Sequence, residues 1–354
     1  MIKRVPKVEL HDHLDGGLRI ETILDIAKRD KIALPSTDPK ELREFFIRGC
    51  KQKSLVQYLE TFKYTTAVMQ TEEDLERVAY EAVEDLSREN VVYAEIRFAP
   101  ALHTQRGLSM EKVVTAVLSG LDRGKADFGM SYGLLICAMR DQDPADTLKI
   151  AQLATSFMDR GVVGFDLAGG EAGFPSKDHK TAFDHIRAKN GYITIHAGEA
   201  FGTESIWQAI QICGAHRIGH GVRLIEDMAL RGNQITRLDS LSQYVLDRRI
   251  PLELCLTSNV GTGAAESYET HPFPLFYRNN FRVCLCSDNR LMSDTNLTKE
   301  LTIASEVYGL NISDLEKITL NAMKSAFIHH TEKLHLIYDV IKRQYAELRK
   351  EYNI

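Results

Sequence analysis

The sequence predicts an α/β protein, a (β/α)8 TIM barrel with additional helices. Three observations carry this. Eight short apolar or β-branched runs recur along the 354 residues, at 8–13, 91–98, 132–139, 162–168, 192–196, 217–219, 251–256 and 282–287. They are mostly unbroken rather than alternating, as strands covered on both faces read. Helical patterns lie between them, and about eight strands alternating with helices in one chain point to a closed parallel barrel. No linker or low-complexity segment divides the chain, so residues 1–354 read as one barrel domain. A doubly wound open sheet is the alternative, but it normally follows its first strand with a glycine-rich phosphate turn. Here the first run ends in His11-Asp12-His13, followed by Asp15-Gly16-Gly17.

Taken in chain order, residues 54–70 carry Leu55, Leu59, Phe62 and Val68 near helical spacing. Thr71-x-x-Asp74 resembles a capping box, and Leu75, Val78, Ala79, Ala82, Val83 and Leu86 follow as an apolar stripe at helical period. Asp143-Pro144 places an N-cap before a proline at the first helical position, ahead of Leu148, Ile150, Leu153 and Phe157. Trp207, the single tryptophan, is expected to pack in a helix. The sixth strand, 217–219, is the shortest. Ser313-x-x-Glu316 is expected to cap a late helix, and the charged, amphipathic stretch 333–352 to pack on the outside.

Composition narrows the function class. Apolar residues make up 44% and charged residues 26%, with net charge −5. That balance gives a chain able to bury a core without staples and no clustered basic surface for nucleic acid. No run is long and apolar enough to span a membrane, and no apolar leader precedes residue 11. None of the six cysteines forms a C-x-x-C pair, and most sit in apolar runs, so they read as reduced core thiols of a cytoplasmic protein.

Polar chemistry collects where the strands end. His11 and His13, two apart on a strand, face the same side and can meet one ion. Alone, such a pair is more often a surface or core feature. The fifth run leads into His196-Ala197-Gly198-Glu199, the sixth into His220 and the eighth into Ser287-Asp288-Asn289. Barrels build their sites from the C-terminal ends of several strands. Three histidines and a carboxylate drawn from these ends make a set for Zn²⁺ with one position left for water. The fourth strand ends Asp166-Leu167-Ala168-Gly169-Gly170. It lacks the lysine that commonly bridges two metals in barrel hydrolases, so one ion per chain is expected.

Six segments, in order and spacing, resemble the adenosine deaminase family: PKVELHDHLDGGLR (6–19), VVGFDLAGGE (162–171), HAGE (196–199), RIGHG (217–221), LTSN (256–259) and CSDNRLMS (286–293). The resemblance spans nearly the whole chain and implies a metal-dependent hydrolase barrel. It implies a zinc ion on His11, His13, His196 and Asp288, Glu199 as the acid facing purine N1, and His220 as the residue positioning the attacking water. It further implies Asp15 against a ribose hydroxyl, Gly169 as backbone donor to N3 and Asn289 beside N7, with His13 placed to touch substrate as well. The implied reaction is hydrolysis of adenosine or 2′-deoxyadenosine to the inosine nucleoside and ammonia. The implied partner is a small purine nucleoside, with neither nucleic acid nor membrane.

Three positions depart from the family pattern. Asn289 stands where many members have a second aspartate, Gly170 where many have an acidic residue, and Leu256 where many have proline, here read as a loop change without chemistry. By resemblance, residues 54–70 form part of a lid over the ribose. Two rival functions remain. One is deamination of another purine, such as adenine or a modified adenosine; the free-base branch often carries glutamate in the segment corresponding to Leu14-Asp15-Gly16, which favours a nucleoside. The other is a catalytically inactive member that only binds nucleoside.

Overall fold

A computed structural model describes residues 1–53, 58–232 and 234–353. Each of the eight expected runs is a strand of one parallel sheet. They are β1 (Lys7–His13), β2 (Val91–Phe98), β3 (Ser131–Met139), β4 (Val162–Ala168), β5 (Tyr192–Ala197), β6 (Arg217–His220), β9 (Leu252–Leu254) and β10 (Val283–Leu285). Their order is β1-β2-β3-β4-β5-β6-β9-β10. A parallel bridge from Asp12 to Asp288 joins the last strand's continuation to the first. There the His13 N–H donates to the Asp288 carbonyl at 2.8 Å, and the Asp288 N–H to the His11 carbonyl at 2.7 Å. The barrel therefore closes through the backbone of His11, His13 and Asp288, three residues singled out for chemistry.

The expected helix signals mostly hold. Thr71 caps helix Glu72–Arg88 by accepting from the Asp74 N–H, and the apolar stripe behind it is buried. Asp143 caps helix Pro144–Ser156 by accepting from Ala145. The late helix, Ile312–Ser325, starts earlier than Ser313-x-x-Glu316 suggests. Asn311 is its cap and forms a reciprocal box with Asp314, which brings the buried Ile312 inside the helix. The C-terminal stretch packs Leu336, Ile337, Ile341, Tyr345 and Leu348 inward. A short antiparallel ribbon, β7 (Met228–Arg231) with β8 (Gln234–Leu238), was not foreseen, because its runs are short, mix polar with apolar residues and are largely exposed.

Three details differ from expectation. Leu256 is not in a loop: it is fully buried and opens helix Leu256–Thr262, which also shortens the seventh barrel strand. Trp207 does end a helix, but 43% of it faces solvent. The barrel interior is not purely apolar. Glu95, Arg97, Asp166, Arg217 and Glu253 all point into it and are buried. They form one network: Arg97 to Asp166 and to Glu253 (2.9 Å each), Arg217 to Glu253 (2.6 Å) and Arg217 to Glu95 (2.5 Å). All six cysteines are buried free thiols. Among the described residues no helix is long and apolar enough to cross a membrane.

Candidate active site

Strand alternation sends His11 and His13 into the barrel mouth, while Asp12 between them turns outward to a buried ion pair with Arg290 (2.8 Å). β5 delivers His196, β6 delivers His220, and the chain beyond β10 delivers Asp288. Ligating-type atoms of His11, His196, His220 and Asp288 all lie within 4.8 Å of one another. His13 joins them, with its Nε2 3.1 Å from His196 Nε2 and 3.4 Å from Asp288 Oδ1. His220 (φ 64°) and Asp288 (φ 62°) both adopt left-handed backbone, a costly state for such residues that concentrates at functional sites.

Three of the four rings, those of His11, His196 and His220, are aimed by a partner behind them. His11 Nδ1 lies 2.9 Å from Glu253 Oε2. His196 Nδ1 lies 3.1 Å from Asp166 Oδ2, and both carboxylates are held by Arg97. A ring that donates from Nδ1 to a carboxylate presents a bare Nε2 lone pair on its other side. His220 Nδ1 accepts from the Asn259 amide at 3.0 Å. Asp288 accepts from Ser258 Oγ and from Asn289 Nδ2, both at 2.6 Å. Ser258 and Asn259 come from the helix that Leu256 opens.

The arrangement calls for a cation. Burial, together with the charges of neighbouring His11 and His196, holds His13 and His220 well below the usual imidazole range. Burial also lowers His196. His11 alone rises, to about 9: burial and Arg97 oppose its charge, but the neighbouring carboxylates of Asp288 and Glu253 outweigh them. Asp288 stays ionised, because contact with His11 and the other histidines overcomes the cost of burial. His11 Nε2 lies 3.4 Å from Asp288 Oδ1 without hydrogen-bond geometry and is a buried orphan. A tetrahedral site with bonds of ~2.0–2.1 Å has ligand–ligand edges of about 3.3 Å. The separations of 3.1 Å (His13–His196), 3.4 Å (His13–Asp288) and 3.4 Å (His11–Asp288) fit such a site.

Beside this cluster opens a cavity of about 520 Å³, within the range of small-molecule sites. His13, Asp15, Gly169, His196, Glu199, His220, Asp288 and Asn289 all line it. His11 sits behind the wall and reaches the cluster only through its ring. Glu199 Oε1 accepts from Thr262 (2.9 Å), and its Oε2 lies 3.5 Å from His220 Nε2. Asp15 is buried with Oδ1 unpartnered. Gly169 has φ 98°, which suits only glycine. A Cβ on Gly16 would fall 1.8 Å from Asn289 Oδ1, so the second residue of Asp15-Gly16-Gly17 must be small for Asn289 to sit where it does. Gly170 lines the same wall, and a side chain there would meet nothing within 4 Å. Tyr58, Leu59, Phe62, Lys63 and Thr66 cover one side of the opening. They belong to the stretch 54–70 read as a lid by resemblance, of which residues 54–57 lie outside the described residues.

Sequence reasoning missed Arg97, Asp166, Glu171, Glu253, Ser258, Asn259 and Thr262. The first, second and fourth had a signal: charged residues inside runs otherwise read as doubly buried strands must be paired to be tolerated. Glu171 sits in a loop, and Ser258, Asn259 and Thr262 sit on the short helix Leu256–Thr262, whose start the sequence reading took for a loop.

The adenosine deaminase family model matches residues 6–343. An adenosine deaminase of Mycobacterium ulcerans is 51% identical, with 98% of this chain and 97% of that protein covered. Adenosine deaminase 1 of Streptomyces coelicolor is 49% identical, over 99% and 90%. Among solved structures, an adenine deaminase of Arthrobacter aurescens superposes with TM-score 0.87 at 26% identity, over 98% of this chain and 99% of that one. An N6-mAMP deaminase of Arabidopsis superposes with TM-score 0.83 at 27% identity, over 96% and 99%. A (β/α)8 barrel with its histidines and carboxylates gathered at the strand ends, matched along almost its full length, places this chain in the adenosine deaminase family.

Proposed function

We propose that the chain hydrolyses adenosine and 2′-deoxyadenosine to the corresponding inosine nucleosides and ammonia, using one zinc ion held by His11, His13, His196 and Asp288. The observation that carries this is the set of tetrahedral-edge separations among imidazole nitrogens and one carboxylate, opening onto the cavity that Glu199 lines. Zinc, when bound, supplies Lewis acidity that brings the pKa of a water to roughly 7.

The chain's own groups do the rest. Glu199 is pushed up to about 8, first by burial and then by the charge of Asp288. It therefore holds a proton at neutral pH and can give it to purine N1, which draws electron density from C6. His220, neutral with its Nδ1 accepting from Asn259, keeps its proton on Nε2 and donates it to orient the attacking water, whose own proton passes to Asp288. One hydrogen of the Asn289 amide is committed to Asp288, and the second is free for an unprotonated N7. Gly169 offers its N–H to N3. The orphan oxygen of Asp15 awaits a ribose hydroxyl, which favours a nucleoside over the free base.

Charge at the mouth favours a nucleoside over a nucleotide. Lys63 is the only lysine or arginine among the cavity's described lining residues, and Asp15 and Asp141 oppose a phosphate. Turnover of adenosine, adenine, AMP and methylthioadenosine, with metal content measured on the same sample, tests the reading. Adenosine is expected to be the fastest; adenine or AMP outpacing it would reject the assignment. His220→Ala is expected to lower kcat by about 10²–10⁴-fold while zinc content stays near one per chain. Equal activity, or a simply metal-free variant, would contradict a water-positioning role.

A further inference from the structure

Glu171 has no part in the chemistry above, yet its carboxylate is among the most heavily engaged in the molecule. It lies two residues beyond Gly169, is 5% exposed, and reaches across to the turn after β5. Its Oε1 accepts from the Gly198 N–H at 2.6 Å. Its Oε2 accepts from the N–H groups of Glu199 (3.0 Å), Ala200 (2.6 Å) and Phe201 (2.9 Å). Four successive backbone donors thus converge on one side chain. Such a concave run of N–H groups is an anion cradle, and bonds from it to an ionised acceptor are stronger than neutral ones. Arg140 braces the same region from the other side, donating to the Phe174 carbonyl at 2.9 Å and to the His196 carbonyl.

The turn so held is the one that presents Glu199. Glu199 is the second donor of the run, and its side chain leaves that backbone towards Thr262 and His220. Upstream, the same strut is continuous with Gly169 on the purine wall. We propose that Glu171 is the positioning residue of the acid: its carboxylate fixes the 198–201 turn and sets the distance between the purine-binding loop at Gly169 and the carboxyl of Glu199. A side chain only filling space there would have no need of four charge-assisted bonds. The proposal rests on the reading of Glu199 as the proton donor.

Glu171→Gln preserves size but leaves a single acceptor oxygen and turns an amide NH₂ towards backbone donors. Its kcat for adenosine is expected to fall about 10²-fold, the scale of a small misplacement of a reacting group. Zinc content is expected to hold. Affinity for 1-deazaadenosine, which has C–H in place of N1 and takes no proton from Glu199, is expected to stay within about threefold. Because Glu171 acts through Glu199, adding Glu171→Gln to Glu199→Gln should cost less than about threefold further. A kcat within threefold of wild type, a parallel loss of zinc or analogue affinity, or an undiminished loss in the Glu199→Gln background would each overturn the proposal. Where Glu171→Gln does not fold, Glu171→Asp serves: it keeps the charge but withdraws it by one methylene, and a folded Asp variant with wild-type kcat would equally overturn it. Near-normal turnover in Glu199→Gln alone would instead remove the acid reading on which the proposal stands.

Discussion

Glu199→Gln is expected to lower kcat by about 10²–10⁴-fold, the span typical of a lost general acid, with zinc content and KM little changed. Glutamine keeps the oxygen that accepts from Thr262 and the volume of the side chain, so the cavity wall should persist. What it lacks is the transferable proton. The wild-type carboxyl sits at about 8, raised by burial, by Asp288 and by Glu171, against a smaller opposing contribution from Thr262. It is therefore protonated below that value, and kcat/KM should fall as pH rises through the region of 8; the glutamine variant should lack this limb in its residual rate. The same shift has a stability consequence. A carboxyl raised above its unfolded pKa adds stability that is fully present below about 4.5 and is lost as pH rises through about 8. Relative to wild type, Glu199→Gln should then gain melting temperature at pH above about 8 and not at pH 4. A variant with near-normal turnover, or one with an unchanged alkaline limb, would sink the role.

The parts of this site legible in the sequence are those that follow from local rules. A strand's period of two puts His11 and His13 on one face, and the barrel rule puts strand-end residues at one mouth. Both inferences needed only the positions of apolar runs. The carboxylates behind the histidines were harder. Asp166 and Glu253 lie on β4 and β9, and their pairing with His196 and His11 runs through Arg97 on β2, a set of contacts that exists only once the barrel closes. Their presence in apolar strands did signal pairing, but not with whom. Leu256 was misjudged for a related reason. A short run after a strand reads as loop, whereas here the helix it opens brings Ser258 to Asp288, Asn259 to His220 and Thr262 to Glu199. The late helix cap shows the limit of motif reading: Ser313-x-x-Glu316 fits the pattern, but Asn311 with Asp314 satisfies more backbone donors and wins.

Arg97→Met is expected to destabilise the protein by about 3–5 kcal/mol, the cost of removing one partner from a buried ion pair, and to weaken zinc affinity by about 10–100-fold. The guanidinium is fully buried and holds Asp166 Oδ2 and Glu253 Oε2 at once, with a further bond to the Leu10 carbonyl. Glu253 would keep Arg217 and Thr194 after the substitution. Asp166 would keep the His196 Nδ1, Leu167 N–H and Cys137 Sγ contacts, with no guanidinium beside it. Burial favours the neutral form of Asp166, and the charges of His196 and Arg97 hold it ionised. Without Arg97 the balance shifts towards the neutral acid, a weaker acceptor for His196 Nδ1, and the ring's Nε2 is held less firmly as the bare nitrogen. Stability and metal affinity should therefore fall together, read by denaturant unfolding and by competition with a chelator. Arg97→Lys separates the two: it restores a charge to the interior and part of the stability, but one ammonium cannot fork between two carboxylates, so metal affinity should stay low. Loss of stability with wild-type zinc affinity in both variants would show the network to be a matter of folding alone. Because both histidine-orienting carboxylates share one guanidinium, Asp166→Asn and Glu253→Gln should each couple to Arg97→Met rather than add to it.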